Sequence, residues 1–285
     1  MDGKTCLITG ATSGIGKETA FGLARLGARV VIVGRDPDRT RAAADWIRRE
    51  TGSEQVSFLL ADLSSQSEVR GLAREFKDKY SRLDVLVNNA GGIFTRRETT
   101  VDGFERTWAL NHLAYFLFTQ ELLELLKASA PARIVNVAST MHTGGLIDFG
   151  DLQGEKSYSG IRAYSQSKLA NVLFTYALAR RLEGTGVTAN CLHPGGVATG
   201  FGQNTFGALK LLMRLARPFL ITAEQGAATS IYLASSPDVE GASGRYFAKC
   251  KPDRSSAVSR DEALQERLWA LSLRQIGQDG AAALV

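Results

Sequence analysis

The sequence predicts an α/β fold: a single domain with a mostly parallel sheet of roughly seven strands, doubly wound with helices on both faces. Two observations predict it. Short, continuously apolar runs alternate with segments of helical periodicity, and polar or glycine residues cluster where the apolar runs end. Strands covered on both faces are continuously apolar, and parallel strands need crossover connections of helical length. The chain of 285 residues is long enough for one such domain.

The order of elements follows from these runs. Strands are predicted at 4–9, 30–33, 56–60, 83–87, 133–138, 187–192 and 244–248. Helices are predicted at 17–26, 38–50, 68–79, 104–127, a segment that carries Tyr164 and ends near 182, 224–234 and 261–273. The polar run 139–159 is too long for a simple connection, and long loops in compact domains tend to be functional.

Composition and charge exclude some functions. The net charge of +5 comes from 34 basic and 29 acidic side chains, with several arginines between 35 and 49. Such runs are usually solvated helix faces, and no recognition motif accompanies them, so we expect no nucleic-acid partner. An anionic small molecule explains the charge more simply.

Cysteine, histidine and the first residues indicate the compartment. The cysteines and histidines have neither paired nor metal-ligand spacing: Cys6, Cys191, Cys250, His112, His142 and His193. We therefore expect no metal and a reducing compartment. The chain enters a strand-like run at Lys4, which leaves no room for a signal peptide or an anchor before it. The prediction is a soluble, cytoplasmic protein.

The polar residues that follow the predicted strands indicate the binding site. In doubly wound folds ligands bind beyond the carboxyl ends of the strands. The informative residues at those ends are Gly10, Arg35, Asp62, Asn89, Ser139 and Pro194. We expect one pocket to collect them.

A glycine-rich turn follows the first strand. Gly10, Gly14 and Gly16 permit a tight turn, and the helix that follows offers free N–H groups to a pyrophosphate. The spacing differs from the Gly-x-Gly-x-x-Gly dinucleotide motif, and simple packing of the turn is the alternative.

The second strand ends at Gly34-Arg35, where the adenosine ribose of a dinucleotide would lie. An acidic residue there would bind a free 2′-hydroxyl, whereas a guanidinium suits a 2′-phosphate. The sequence therefore predicts NADP(H). A solvent-exposed Arg35 with Asp36 as its neighbour is the alternative.

The stretch Tyr164-Ser-Gln-Ser-Lys168 is the candidate for chemistry. A spacing of four places both side chains on one helix face. A phenol titrates near ~10, and an adjacent ammonium favours the phenolate, so the pair would exchange protons at lower pH than a free phenol. Taken alone, the same spacing arises by chance in surface helices.

Four motifs together resemble the short-chain dehydrogenase/reductase family over nearly the whole chain. They are Thr9-Gly10-x-x-x-Gly14-Ile15-Gly16, Asn88-Asn89-Ala90-Gly91, Ser139 and Tyr164-x-x-x-Lys168. Further runs resemble its retinol dehydrogenase branch: Tyr164–Asn171 with Leu173-Phe174-Thr175, Asn111-His112, Asp151-Leu152-Gln153 and Tyr246-Phe247. The resemblance implies a Rossmann fold.

Catalytic roles follow from the resemblance. It implies that Tyr164 is the acid/base and that Ser139 hydrogen-bonds the substrate oxygen. Lys168 would hold the nicotinamide ribose and lower the pKa of Tyr164, while Asn111 would support a water-linked proton relay with Lys168. The alternatives are ordinary: a strand end for Ser139, a helix polar group for Asn111, and a turn for Asn88-Asn89.

The resemblance also implies which residues bind the cofactor. Two would contact adenine (Asp62 and Leu63) and two would lie near the carboxamide (Val197 and Thr199). The whole predicted set is Gly10, Thr12, Ser13, Gly14, Ile15, Gly16, Arg35, Asp62, Leu63, Asn89, Ala90, Gly91, Tyr164, Lys168, Pro194, Gly195, Val197 and Thr199.

The segment 206–221 is apolar apart from Lys210, Arg214 and Arg217, which share one face at helical pitch. It lies where the family's substrate lid is found, so 200–222 is predicted to be a lid over an apolar substrate. Weak docking of 206–221 on a membrane surface is the alternative. Residues 276–285 are predicted to be a flexible tail.

The predicted function is NADP(H)-dependent interconversion of a carbonyl and an alcohol on an apolar small molecule that resembles a retinoid, sterol or xenobiotic. Two alternatives are a non-catalytic NADP(H) sensor or scaffold, and isomerisation or elimination of sugars. The second usually needs a larger carboxy-terminal domain than the residues after Pro194 provide. The resemblance further implies a homodimer or homotetramer.

Overall fold

The computed structural model describes residues 1–196 and 221–278. In this part of the chain, eight strands form one sheet. They are β1 (Thr5–Thr9), β2 (Arg29–Gly34), β3 (Val56–Leu60), β4 (Val85–Asn88), β5 (Ala132–Val137), β6 (Val187–Leu192), β7 (Tyr246–Ala248) and β8 (Lys251–Asp253).

The sheet is doubly wound, as predicted. Its order is β3-β2-β1-β4-β5-β6-β7-β8, and every pair from β3 to β7 is parallel. The order reverses between β1 and β4, and this reversal opens a crevice at their carboxyl ends. The seven predicted strands are all present. The eighth, β8, pairs antiparallel with β7 and was not predicted.

Helices cover both faces of the sheet. In the described residues the helices of twelve or more residues are α1 (Gly14–Arg25), α2 (Pro37–Thr51), α3 (Gln66–Lys79), α5 (Ala114–Ala128), α6 (Gly160–Arg181), α7 (Ala223–Ser235) and α8 (Glu262–Gln275). A short α4 (Arg106–Trp108) precedes α5.

The predicted single helix at 104–127 is interrupted. Between α4 and α5, Ala109–Leu113 forms a π-helical turn, and it carries Asn111 and His112. Single π turns inside helices are frequent at functional sites. The interruption therefore changes the direction in which Asn111 points relative to a regular helix.

The core has two layers, one on each face of the sheet. Neighbouring strand residues point to opposite faces, so Leu7 joins the layer with α3, α5, α6 and α8, while Ile8 joins the layer with α1, α2 and α7. All of these strand side chains are buried, which is why the strands are continuously apolar in sequence.

Helix α8 lies against α6 and closes one face of the molecule. Its Trp269 ring lies 4.9 Å from that of Phe116, and the Arg181 guanidinium lies 4.1 Å above the indole. Buried His112 Nε2 is 2.8 Å from Ser272 Oγ, which ties α8 to the π turn. Aromatic pairs of this kind contribute about 1 kcal/mol beyond burial.

We expect Glu266→Gln to weaken this contact in a pH-dependent way. Glu266 Oε1 accepts from Arg180 at 2.8 Å and its other oxygen accepts from Arg181. The Arg181 hydrogen bond is the main cause that lowers the pKa of Glu266 to about 2. A lowered carboxyl pKa stabilises the fold above the unfolded value and is lost as pH falls toward the folded value. Because the side chain is 49% exposed, we expect a loss of only about 1 kcal/mol at pH 7.

Urea unfolding between pH 7 and pH 2 measures this contribution. The difference between the wild-type protein and Glu266→Gln should shrink as pH falls below about 4.5, the ordinary glutamate range. Glu262→Gln, on the same helix, is the control. A difference that stays constant across this range would contradict the assignment.

Two predicted segments lie mainly outside the described residues. These are 200–220 of the predicted lid and 279–285 of the predicted tail. At the far end of the first segment, Ile221 N donates to Gly196 O at 2.9 Å and Thr222 caps α7. None of the described helices is both long and apolar enough to cross a membrane.

Candidate active site

A cavity of about 460 Å³ lies at the carboxyl ends of β1, β2 and β4. It is lined by thirteen of the predicted cofactor residues: Gly10, Thr12, Ser13, Gly14, Ile15, Gly16, Arg35, Asp62, Leu63, Asn89, Ala90, Gly91 and Lys168. A larger groove of about 1220 Å³, which includes Asp84 and Arg133, lies toward the opposite ends of the strands. That groove contains none of the predicted site residues. The candidate site is therefore the smaller cavity, where the chemical groups converge.

The glycine turn after β1 is close-packed against the end of β4. Gly10 has φ +65°, and a Cβ there would lie 2.7 Å from Ala90 Cα. A Cβ on Gly16 would lie 2.4 Å from Asn89 Nδ2. Both positions therefore require glycine, and packing of the turn is a real part of its role.

The same turn leaves the start of α1 open to a ligand. Ser13 is the N-cap residue but its side chain makes no capping hydrogen bond, and the first turn of α1 carries no acidic residue. The free N–H groups and the positive end of the helix dipole thus face the cavity without a negative charge beside them. This arrangement fits a pyrophosphate.

Asn89 fastens β4 to the glycine turn. Its Nδ2 donates to Thr9 O at 2.8 Å and to Gly10 O at 3.1 Å. Thr9 Oγ1 in turn accepts from Asn89 N at 2.9 Å and Ala90 N at 3.1 Å. Thr9 holds the site together, although the sequence reasoning used it only as part of the glycine motif.

Arg35 lies at the adenosine end of the cavity, where its side chain is 59% exposed. Its neighbour Asp36 does not pair with it: the Asp36 carboxylate caps α2 by accepting from Arg39 N at 2.9 Å. The Arg39 side chain also lines the cavity. Two guanidinium groups, four residues apart in sequence, therefore face the place where a 2′-phosphate would lie.

Asp62 also lies at this end of the cavity. Its Oδ2 is 3.9 Å from Arg35 Nη1. Burial acts to raise the pKa of Asp62, but hydrogen bonds from Ser64 and the charge of Arg35 lower it overall, so Asp62 is ionised. The Arg35 guanidinium therefore has a carboxylate of opposite charge near it, and this carboxylate helps to hold Arg35 at the cavity.

Tyr164 and Lys168 lie on one face of α6 and are both buried. Tyr164 is hydrogen-bonded to Ser139, at the end of β5. Lys168 Nζ donates to Val137 O at 2.8 Å and lies 5.7 Å from the Tyr164 ring. The structure thus brings Tyr164, Lys168 and Ser139 together.

Burial opposes the predicted effect of Lys168 on the pKa of Tyr164, and that effect stays a prediction. Burial raises the pKa of Tyr164 to about 12, and the hydrogen bond from Ser139 is what opposes this rise. Burial also lowers the pKa of Lys168 to about 7, so much of its charge is lost near neutral pH. The sequence spacing could not show this, because it contains no information about desolvation.

Asn111 is buried and holds a glycine turn after β4. Its Oδ1 accepts from Gly92 N at 2.9 Å and its Nδ2 donates to Gly92 O at 3.0 Å. A Cβ on Gly91 would lie 3.1 Å from Asn111 Oδ1 and 3.5 Å from Lys168 Nζ, so Asn111 and Lys168 flank this glycine. The main-chain oxygen of Asn111 accepts from Asn171. The water-linked relay remains a prediction.

His142 hydrogen-bonds the main-chain oxygen of Ser139, a contact that the sequence did not predict. Its Nδ1 lies 2.6 Å from Ser139 O, and Ser256 N donates to its Nε2 at 3.1 Å. Since a carbonyl only accepts and an N–H only donates, we assign the neutral tautomer with hydrogen on Nδ1. Burial lowers the pKa of His142, consistent with that neutral form.

The remaining predicted residues lie apart from the cavity or outside the description. Pro194 and Gly195 follow β6, and Gly195 N donates to His193 Nδ1 at 3.1 Å. They do not line the cavity. Val197 and Thr199 lie outside the described residues. Cavity residues that the sequence did not single out are Val33, Arg39, Ala61, Ser64, Gly92, Phe94, Arg106, Leu110 and Val137.

The family follows from the match to known proteins. Residues 4–209 match the family model described as short chain dehydrogenase. The chain is a short-chain dehydrogenase. It is 47% identical over 277 residues to retinol dehydrogenase 12 of Mus musculus. The aligned region covers 97% of this chain and 87% of that protein.

Solved structures agree with this assignment. An uncharacterized protein from Mycobacterium Paratuberculosis is 35% identical with a TM-score of 0.78, over 97% of this chain and 94% of that chain. The RhlG/NADP active-site complex of Pseudomonas aeruginosa is 30% identical with a TM-score of 0.69, over 87% and 94%. This short-chain dehydrogenase therefore has the Rossmann fold, and membership of the family makes it an NAD(P)(H)-binding oxidoreductase of carbonyls and alcohols.

Proposed function

We propose that this short-chain dehydrogenase uses NADP(H) to interconvert a carbonyl and an alcohol on an apolar small molecule, with Tyr164 as acid/base. The proposal rests on the functional groups that lie together in one crevice. A buried phenol, hydrogen-bonded to Ser139 and one helical turn from Lys168, stands beside a cavity whose far end carries Arg35.

The residues present fit the cofactor. The cradle formed by Gly10 and Gly16 would hold the pyrophosphate at the start of α1, because side chains there would clash with the turn. Arg35 and Arg39 would bind the 2′-phosphate, and Lys168 would hold the nicotinamide ribose. When bound, the cofactor supplies or accepts the hydride. Binding of NADP in the RhlG complex supports the choice of NADP(H).

The chain's own groups manage the proton. Because the pKa of Tyr164 is about 12, its phenol is protonated at neutral pH and is ready to donate. Ser139 would donate a second hydrogen bond to the same carbonyl oxygen and would polarise it before the proton moves. Alcohol oxidation reverses these steps, with Tyr164 accepting the proton.

Two observations support an apolar substrate. Leu146, at the end of the turn after Ser139, is 69% exposed, and Ile161, three residues before Tyr164 on α6, is 48% exposed. Large apolar side chains left exposed near catalytic residues in the sequence are suited to an apolar ligand. The related proteins are named for retinol, and a retinoid-, sterol- or xenobiotic-like carbonyl follows by analogy.

Three further properties are proposed with it. We infer a cytoplasmic protein that forms a homodimer or homotetramer, with 206–221 as the lid over the substrate. Flotation of the protein with liposomes tests the alternative, that this basic and apolar segment docks on membranes. If the protein floats with neutral and with anionic vesicles, a lid over the substrate would not be the sole role of 206–221.

The proposed function is tested by NADPH oxidation with matched carbonyls. Each apolar aldehyde or ketone is compared with a polar sugar carbonyl, and cofactor binding is measured separately by fluorescence. We expect oxidation of NADPH with the apolar members. A protein that binds NADPH and turns over none of them would contradict the proposal and favour a sensor or scaffold.

A further inference from the structure

Lys168 ends between two aromatic rings. Its Nζ lies 5.5 Å from the centroid of the Tyr115 ring and 5.7 Å from that of Tyr164. Tyr115 is on α5 and is 1% exposed, and Lys168 is 3% exposed. Both distances are within the range of cation–π attraction. The ammonium therefore lies against a side chain of α5, a helix that the proposed chemistry does not use.

The surroundings of this ammonium contain little else to stabilise its charge. Val137 O accepts one of its hydrogens at 2.8 Å, and a Cβ on Gly91 would lie 3.5 Å from Nζ. In the described parts of the chain no carboxylate forms an ion pair with Lys168, and burial is the cause of its low pKa of about 7. An ammonium removed from water without a counter-charge is unstable, so the negative ring faces matter more here than at a surface.

We propose that Tyr115 is a positioning residue whose ring favours the charged form of Lys168 at the active site. The inference rests on the proposed function, since it assigns a task to Lys168 in binding the ribose and supporting Tyr164. Tyr115 touches neither substrate nor cofactor in this proposal. It acts through Lys168 alone, by placing the negative face of its ring over the ammonium.

The hydroxyl of Tyr115 is not part of this role. Within the described residues it is buried and has no hydrogen-bond partner. Burial, with a smaller contribution from the interaction with Tyr164, raises the pKa of Tyr115 well above its ordinary value, so it stays a neutral phenol. Tyr115→Phe therefore removes a hydroxyl but no hydrogen bond, and it keeps the ring. It is the matched control for Tyr115→Leu, which removes the ring.

The test is the pH dependence of the variants. The groups that face Lys168 are Tyr164 from α6, Tyr115 from α5, Asn111 from the π turn and Val137 O from β5. Carbonyl reduction should fall as pH rises through the pKa of Lys168, because the ammonium is lost. We expect Tyr115→Leu to move this limb about 0.5 to 1 pH unit lower, and Tyr115→Phe to leave it in place.

A second readout does not depend on turnover. Nitrogen-15 labelled lysine in the cofactor-free protein allows the Lys168 ammonium to be titrated by NMR, with Lys168→Met identifying its signal. The same downward shift is expected in Tyr115→Leu. Replacing Tyr115 by a trifluorinated phenylalanine keeps the ring's shape but withdraws electrons from its face, so it should shift the titration in the same direction.

The outcomes separate cleanly. An unchanged titration in both the leucine and the fluorinated variants would overturn the proposal, as would a shift in Tyr115→Phe equal to that in Tyr115→Leu. If Tyr115→Leu fails to fold, the fluorinated variant decides. If the wild-type protein reduces no carbonyl, the proposed function fails, and the NMR titration still decides the role of Tyr115.

Discussion

Tyr164→Phe should lower turnover about a thousandfold while leaving NADPH binding nearly unchanged. A positioned general acid or base contributes roughly 10²- to 10⁴-fold, and phenylalanine removes that group without removing its ring. The phenol is buried and hydrogen-bonded to Ser139, and phenylalanine leaves no group at this position that can donate a proton. The measurement is single-turnover reduction of an apolar aldehyde, with NADPH affinity measured by fluorescence on the same preparation.

Tyr176→Phe is the matched control for this prediction. It lies on the same helix, and its hydroxyl bonds Ser255 Oγ at 2.7 Å, away from the cavity. We expect it to keep turnover while losing a hydrogen bond worth about 1 kcal/mol of stability. If Tyr164→Phe retained more than a tenth of wild-type turnover, another group would have to donate the proton.

The prediction for Tyr164→Phe depends on the burial of the phenol, which sequence patterns do not show. The spacing of Tyr164 and Lys168 was sufficient to place both on one helix face, because helical geometry is local. The effect of burial on their protonation could not be predicted in this way. Burial raises one pKa to about 12 and lowers the other to about 7. Desolvation depends on every neighbouring element, so no four-residue pattern can report it.

The fold was largely predictable for the opposite reason. Buried parallel strands must be apolar throughout, so β1 to β7 are visible as runs. The missed strand β8 is the short, exposed segment Lys-Pro-Asp at 251–253, which has neither an apolar run nor alternation. Its hairpin is turned by Lys249 and Cys250, with φ of 50° and 58°, and no glycine or asparagine indicates a turn there.

The π turn at Asn111 was hidden in a similar way. The residues 109–113 (ALNHL) continue the helical pattern of their neighbours, and no proline or glycine interrupts them. The change in geometry accompanies distant contacts, from Asn111 to Gly92 and to Ser167 Oγ at 3.0 Å. Such contacts join residues that are far apart in the sequence, so the local sequence cannot reveal them.

Arg35→Ala should weaken NADPH binding about 10- to 100-fold and leave NADH binding unchanged. Charge-assisted hydrogen bonds are worth about 1.5–3 kcal/mol, and NADH carries no 2′-phosphate to lose them. Arg39 remains at the cavity in this variant and limits the loss. Arg35→Asp should go further and favour NADH, because a carboxylate repels the phosphate and accepts the ribose hydroxyl.

Arg49→Ala is the control, because Arg49 is 68% exposed at the other end of α2 and pairs with Glu50. Its NADPH affinity should match that of the wild-type protein.

Added salt should weaken NADPH binding to the wild-type protein more than to Arg35→Ala, since the Arg35 side chain is largely exposed and its attraction to phosphate is screened. Equal turnover of the wild-type protein with NADH and NADPH, or an unchanged NADPH constant in Arg35→Ala, would show that Arg35 does not read the phosphate. If the wild-type protein prefers NADPH but Arg35→Ala leaves the NADPH constant unchanged, the preference would have to come from Arg39 or Arg106, the other two guanidinium groups that line this cavity in the described residues.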